Sequence, residues 1–259
     1  MDYEKKGGSR YPLKQKPLRT PGESLNEEIE RLLDEQVIAP ALIALSAVLF
    51  AAVEWLLWFV KSPPQPVAVS LMALAAVGYA SYKFFSLRRR IKALQLGLEG
   101  EKDVGQYLEE LRSKGYRIFH DVLGDNFNID HVVVSPHGVF AIETKTYSKP
   151  LRGQPLVQYD GERILVNAVE PDRNAVQQAL AQSHWLRDLL SETTGKQYPV
   201  KGVIVFPGWY VEPAKGKRRD DIWVLNPKAL PSFIENEPVL LKPEDVALAS
   251  SRLTIHITR

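Results

Sequence analysis

The chain has 259 residues, 45% hydrophobic, 25% charged and 9% aromatic, an ordinary globular composition that excludes collagenous, low-complexity and wholly disordered proteins. Its 33 Lys and Arg against 31 Asp and Glu leave a formal charge of +2, so any binding of nucleic acid must be local and not driven by bulk charge. The complete lack of cysteine excludes disulfide frameworks, cysteine-ligated zinc, iron–sulfur clusters and thiol nucleophiles.

Residues 1–36 are polar, with Lys5, Lys6, Arg10, Lys14, Lys16 and Arg19 early, an acidic stretch from Glu27 to Glu35, and a short helical pattern at Ile29, Leu32 and Leu33. They read as a polar cytoplasmic tail carrying a surface helix. Residues 37–60, VIAPALIALSAVLFAAVEWLLWFV, hold Glu54 as their only ionisable side chain. At the helical rise per residue this run is long enough to cross a hydrocarbon layer of about 30 Å. After a connector from Lys61 to Pro66, residues 67–85, VAVSLMALAAVGYASYKFF, form a second apolar run interrupted only by Lys83, whose long stem lets its charge reach the headgroups. Residues 37–86 therefore read as a two-helix transmembrane hairpin, set in the bilayer through residues 37–85, with Trp55, Trp58, Tyr79 and Tyr82 near its interfaces. Arg88, Arg89, Arg90 and Lys92 follow the second run, whereas the connector carries only Lys61. That asymmetry places the following domain in the cytoplasm, and two spans place the N terminus there too.

Residues 94–259 read as one α/β domain. The segment 98–116 has Val104, Tyr107, Leu108 and Leu111 at helical spacing, with Gly115 as a helix stop. Strands follow at 116–123, 129–134 and 139–146, the last two joined through Ser135-Pro136-His137-Gly138, a sequence with turn chemistry. Residues 155–167 suggest a second hairpin turning at Asp160-Gly161. An apolar stripe through Val176, Ala179, Ser183, Leu186 and Leu190 predicts a helix from Asp172 to about Glu192, and a strand over 200–207 follows it. A further strand is expected at 222–225, with short helices near 228–235 and 244–253. The order of helix, strands, helix and strand is that of an α/β fold with a mixed sheet.

If Val134 faces Val139 across the turn, Asp130 falls opposite Glu143, and two carboxylates share one face of the hairpin. Like charges so placed repel unless a cation sits between them, and two hard oxygen ligands suit Mg²⁺ or Mn²⁺. Lys145, two residues beyond Glu143, lies on the same face about 7 Å along the strand, where an ammonium can orient an attacking water and offset phosphate charge. A bulge at Gly138 would instead put Asp130 opposite Thr144 and dissolve the pair. Val132, Val134, Val139 and Ala141 are expected on the face that carries the charges. Glu101 lies on the inward stripe of its helix and can reach the same place, although a carboxylate near a helix start has an equal claim there. Gln178 sits close to the apolar stripe of the later helix, where an amide can hold a phosphate or a water. His120, His131, His137, His184 and His256 show no mutual ligand spacing and read as structural or surface residues. Lys215, Lys217, Arg218 and Arg219, diluted by Asp220 and Asp221, read as a solvated loop.

Taken together, Gly100-Glu101, the run from Ile129 to Val134, the run from Gly138 to Lys145, Asn174, Gln178 and the run from Val203 to Pro207 resemble the nuclease-related domain family, NERD. Its fold is similar to the restriction-endonuclease-like PD-(D/E)XK superfamily, and the resemblance covers residues 97–210. It implies an αβββαβ core in which Asp130 and Glu143 hold a divalent metal, Lys145 serves the attacking water, and Glu101 and Gln178 complete a catalytic set. Ala175 stands where the family often has proline, and no proline precedes Asp130. The expected protein is a membrane-anchored, Mg²⁺-dependent nuclease acting on DNA or RNA at the cytoplasmic side. The second reading is a catalytically inactive, membrane-tethered module that binds nucleic acid or protein.

Overall fold

The computed structural model describes residues 18–60, 66–150, 152–171, 174–212 and 220–258. The basic residues before Leu18, the connector 61–65, Asp172, and the cluster Lys215, Lys217, Arg218 and Arg219 lie outside the described residues. The chain forms two compact units, one over Glu23–Glu99 and one over Gly100–Arg259 together with the residues up to Gly22. The sequence pattern divides the chain at 36, 86 and 94, into tail, apolar hairpin and α/β domain.

The first unit is helical. Helix α1 spans Glu23–Leu33, a π-helical stretch covers Asp34–Ile38, and α2 covers Ala39–Phe59, so that a single helix of 37 residues runs from Glu23 to Phe59. The π turns have a local cause. Pro40 lacks an N–H and its ring would clash with the carbonyl four residues back, and widening the preceding turns relieves both. Helix α3 spans Pro66–Ser113, 48 residues without a break, where the sequence suggested a span over 67–85 and a separate later helix. Residues 86–96 contain neither glycine nor proline and are rich in Leu, Lys and Arg, so nothing there stops a helix. Trp55 Nε1 donates to Ser70 Oγ at 2.9 Å, joining α2 to the start of α3, and Arg90 pairs with Glu28 of α1 at 2.6 Å. Both helices are long and apolar enough to cross a membrane. Their apolar side chains point outward: Phe59 is 76% exposed and Leu74 70%, with Ile43, Leu56 and Leu71 close behind.

The second unit is mixed α/β. Strands β1 (Arg117–Leu123), β2 (Asn128–Ser135) and β3 (Gly138–Thr144) form an antiparallel meander. Strands β4 (Leu156–Tyr159) and β5 (Ile164–Val166) follow, then α4 (Ala175–Thr194), β6 (Val200–Val205), β7 (Tyr210–Glu212) and β8 (Ile222–Leu225). The chain closes with the short α5 (Leu230–Glu235) and with α6 (Pro243–Ile257). The main sheet has the order β1-β2-β3-β6-β8, with β6 parallel to β3 and β8 parallel to β6. A second sheet, β5-β4-β7, stands apart. The simple αβββαβ order is thus interrupted by β4 and β5 before α4 and extended by β7 and β8 after β6. Strand β7 has three residues, half-buried or exposed, too few for an alternating pattern to show.

Apolar side chains cover both faces of the main sheet. Val132, Val134, Val139 and Ala141 pack under α4 and α6 with Leu186, Leu190 and Leu253, while Val133, Phe140 and Ile142 pack with Val104, Leu108 and Leu111 of α3. Helix α3 ends just before Gly115, whose φ of +88° is the left-handed stop that glycine adopts without strain. The β4–β5 connection is longer than the two residues suggested by Asp160-Gly161. Asp160 Oδ1 accepts from the N–H groups of Glu162 and Arg163 at 2.9 and 2.7 Å, closing a loop over 160–163 between Tyr159 and its partner Ile164.

Candidate active site

The β2–β3 connection fixes the geometry of the acids. Ser135 pairs with Gly138 and Val134 with Val139, so only Pro136 and His137 lie between the strands and the bulged register does not occur. Pairing runs down to His131 and Ile142 and stops there. At the next position Asp130 faces Glu143, and the Asp130 side chain takes over the ladder, its Oδ2 accepting the Thr144 N–H at 2.6 Å. Alternation along both strands puts these two acids on the face that α4 covers.

Helix α4 supplies the partners of Glu143. Its N-cap is Asn174, whose side chain accepts the Gln177 N–H at 3.1 Å, and its first turns carry Gln178 and Gln182 on one side, four residues apart. Lys145 Nζ donates to Glu143 Oε1 at 2.7 Å and to Gln178 Oε1 at 2.8 Å, and Gln178 Nε2 donates to the same Glu143 oxygen at 2.7 Å. Gln182 Nε2 donates to the other oxygen, Glu143 Oε2, at 2.6 Å. Glu101 lies well inside α3, not near its start, so its carboxylate does not serve a helix N terminus. It is buried, with a backbone hydrogen bond from Gly22 and its charge close to those of Asp121, Glu143 and Lys145. Asp130, Glu143, Lys145, Glu101 and Gln178 therefore lie in one cluster.

Two of the buried acids do not ionise freely. Burial pushes the Glu101 carboxyl up to about 8, reinforced by the charges of Asp121 and Glu143. Burial likewise holds Asp130 well above the usual carboxylate range, with Glu143 and Glu101 adding repulsion against the single nearby lysine.

Several residues of the cluster were not legible in the sequence. Gln182 could have been suspected from its spacing to Gln178. Asp121 could not, because it occupies a φ of +50° in β1, between the paired His120 and Val122, which sets it across from Asp130. Its carboxylate, fully buried, accepts from Arg19 Nε at 2.6 Å and from Asn128 Nδ2 at 2.7 Å. Arg19 belongs to the stretch read as tail, and Pro21 of the same stretch packs on Gly105, where an added Cβ would come within 2.8 Å of Pro21 Cγ. His120 and His131 share a hydrogen bond between Nδ1 atoms 2.8 Å apart, and burial depresses the basicity of both, which suits a structural pair. A cleft of about 1040 Å³ lies elsewhere, along β8 between Trp209, Trp223 and Phe233, and contains none of the acids.

The donor set fits a hard divalent cation. Asp130 and Glu143 offer oxygen ligands, and Glu101 Oε2, Gln182 Oε1 and Thr144 Oγ1 are buried without a hydrogen-bond partner. Among the described residues no three His, Asp or Glu side chains already converge as a metal cage. Asp130 and Glu143 are the side chains that would hold such an ion.

The mixed sheet thus bears paired acids followed by a lysine. Residues 96–207 match the model of NERD, the nuclease-related domain, whose general kind of fold is PD-(D/E)XK. A Bacillus anthracis protein named only as uncharacterized is 43% identical over 56 residues, which is 20% of this chain and 26% of that protein. No solved structure matches the chain.

Proposed function

We propose that the protein is a membrane-anchored nuclease that hydrolyses phosphodiester bonds of DNA or RNA. The observation that carries this reading is the set Asp130, Glu143 and Lys145 at the ends of two adjacent strands, with the lysine 2.7 Å from Glu143 and an orphaned Glu101 oxygen beside them. Asp130 and Glu143 would hold Mg²⁺ or Mn²⁺, which when bound lowers the pKa of water and neutralises phosphate charge. Gln178 holds Lys145 through its Oε1, so the ammonium stays pointed at the acids, placed to orient the attacking water and to donate to a phosphate oxygen. Glu101 lies beside this pair with its Oε2 unpartnered, where it would complete the oxygen surroundings of the ion.

Anchoring is part of the proposal. The outward-facing apolar side chains of α2 and of the first half of α3 find a solvent in the hydrocarbon of a bilayer, whereas in water they would leave an unusually large apolar surface exposed. Arg88, Arg89, Arg90 and Lys92 favour both termini on the cytoplasmic side.

The test uses the full chain in lipid nanodiscs with labelled single- and double-stranded DNA and RNA, in Mg²⁺, Mn²⁺ or chelator. Cleavage is expected with either metal and not with chelator, and Asp130→Asn and Lys145→Met are each expected to slow it by about 10²-fold or more. A folded protein that binds nucleic acid but cuts none of these substrates would overturn the hydrolase and leave a membrane-tethered binding module.

A further inference from the structure

Gln182 is 1% exposed and lies one helical turn beyond Gln178. Its Nε2 donates to Glu143 Oε2 at 2.6 Å and to the Asn128 carbonyl at 3.0 Å, which uses both hydrogens of the amide. Its Oε1 is buried and accepts nothing. Asn128 in turn donates to Asp121, so one amide links the start of β2, the carboxylate of β3 and the helix that covers them. We infer that Gln182 is a positioning residue of the acid site: its amide hydrogens set the rotation of the Glu143 carboxylate, and its Oε1 accepts a hydrogen from water on a divalent cation held by Asp130 and Glu143.

This rests on the metal site in the function proposed above, and the chemistry of the residue type supports it. With Gln182 on Oε2, Lys145 and Gln178 share Oε1, and the carboxylate cannot turn without breaking one of these bonds. A hydrated Mg²⁺ presents water hydrogens to acceptors around it, and an uncharged amide oxygen receives one without adding a further negative charge to a cluster already crowded with acids. An aliphatic side chain would fill the space and release Glu143.

The test is Mn²⁺ binding to the full chain in detergent, read from the loss of the free-ion electron paramagnetic resonance signal, with Mg²⁺ as competitor. Gln182→Met is expected to weaken Mn²⁺ binding by about 10- to 100-fold, the usual effect of losing an outer partner of a metal ligand, in a chain whose circular dichroism in chelator stays that of the wild type although it melts lower. If Gln182→Met does not fold, Gln182→Asn, which keeps the amide but shortens its reach, is read in its place with the same loss expected. Equal Mn²⁺ affinity in the variant and the wild type would overturn the inference, and so would a wild type that binds no Mn²⁺. A wild type that binds Mn²⁺ and cuts no nucleic acid would defeat the hydrolase alone and leave the role of Gln182 standing.

Discussion

Glu101 carries the clearest consequence of burying acids together. Its folded value is about 8 against an ordinary 4.5, so above pH 4.5 the folded chain keeps a proton that the unfolded chain releases. Stability must then fall as pH rises from 4.5 to about 8, at about 1.4 kcal/mol per pH unit for one proton, and level off above that. Asp130, raised in the same direction, adds to the slope. Glu101→Gln removes one ionisation, so in chelator it is expected to match the wild type at pH 4.5 and exceed it in stability at pH 8.5. Urea melts at pH 4.5, 6.5 and 8.5 measure this, and a wild-type slope that Glu101→Gln leaves unchanged would show that the carboxyl is not buried among like charges. Mg²⁺ is expected to flatten the wild-type slope, because a cation stabilises the ionised form that the fold alone resists.

The elements that place the glutamines make a different kind of demand. Helix α4 lies on β6 at Gly202, where a Cβ would come 2.5 Å from Ile222 Cδ1 and 3.0 Å from the Ala179 carbonyl. The isoleucine end can turn aside, but the carbonyl belongs to α4 between Gln178 and Gln182, so Gly202→Ala lifts the helix that braces Glu143. It is expected to cost about 1–3 kcal/mol in denaturant melts and to reduce cleavage more than that loss of folded protein explains. Asn174→Ala, which removes only the cap of α4, is expected to cost about 1 kcal/mol with a smaller effect on cleavage. The contrast between the two variants separates the position of the helix from its stability. This scale also shows why part of the site was legible in the sequence and part was not. The facing of Asp130 and Glu143 follows from a tight turn and a period of two, both local rules, and Lys145 follows with them. Gln182, Arg19 and Asp121 enter through contacts between segments far apart in the chain, and Asp121 also needs a backbone angle that side-chain patterns do not signal.

For the whole molecule, the order of the chain carries an argument of its own. The chain leaves the α/β unit after Gly22 and rejoins it at Gly100, and the Gly22 backbone donates to Glu101. The helical unit is thus an insertion whose two ends are neighbours. An insertion that crosses a bilayer and returns to its starting point must cross an even number of times, and it contains two helices of sufficient length and apolarity. Under the proposed anchoring, Arg88, Arg89, Arg90 and Lys92 at the end of the second apolar run would put the α/β unit on the cytoplasmic side. The lack of any cysteine makes the arrangement directly measurable, since a single introduced thiol reports its own side of the membrane. Val60→Cys, just past α2, is expected to react with a membrane-impermeant maleimide in intact cells. Ser113→Cys, at the end of α3, is expected to react only after the cells are opened. Both thiols reacting in intact cells would put the α/β unit outside, away from cytoplasmic nucleic acid. Neither reacting until the cells are opened would mean that the apolar helices do not cross, and the exposed surface of α2 and α3 would then have to be buried against a protein.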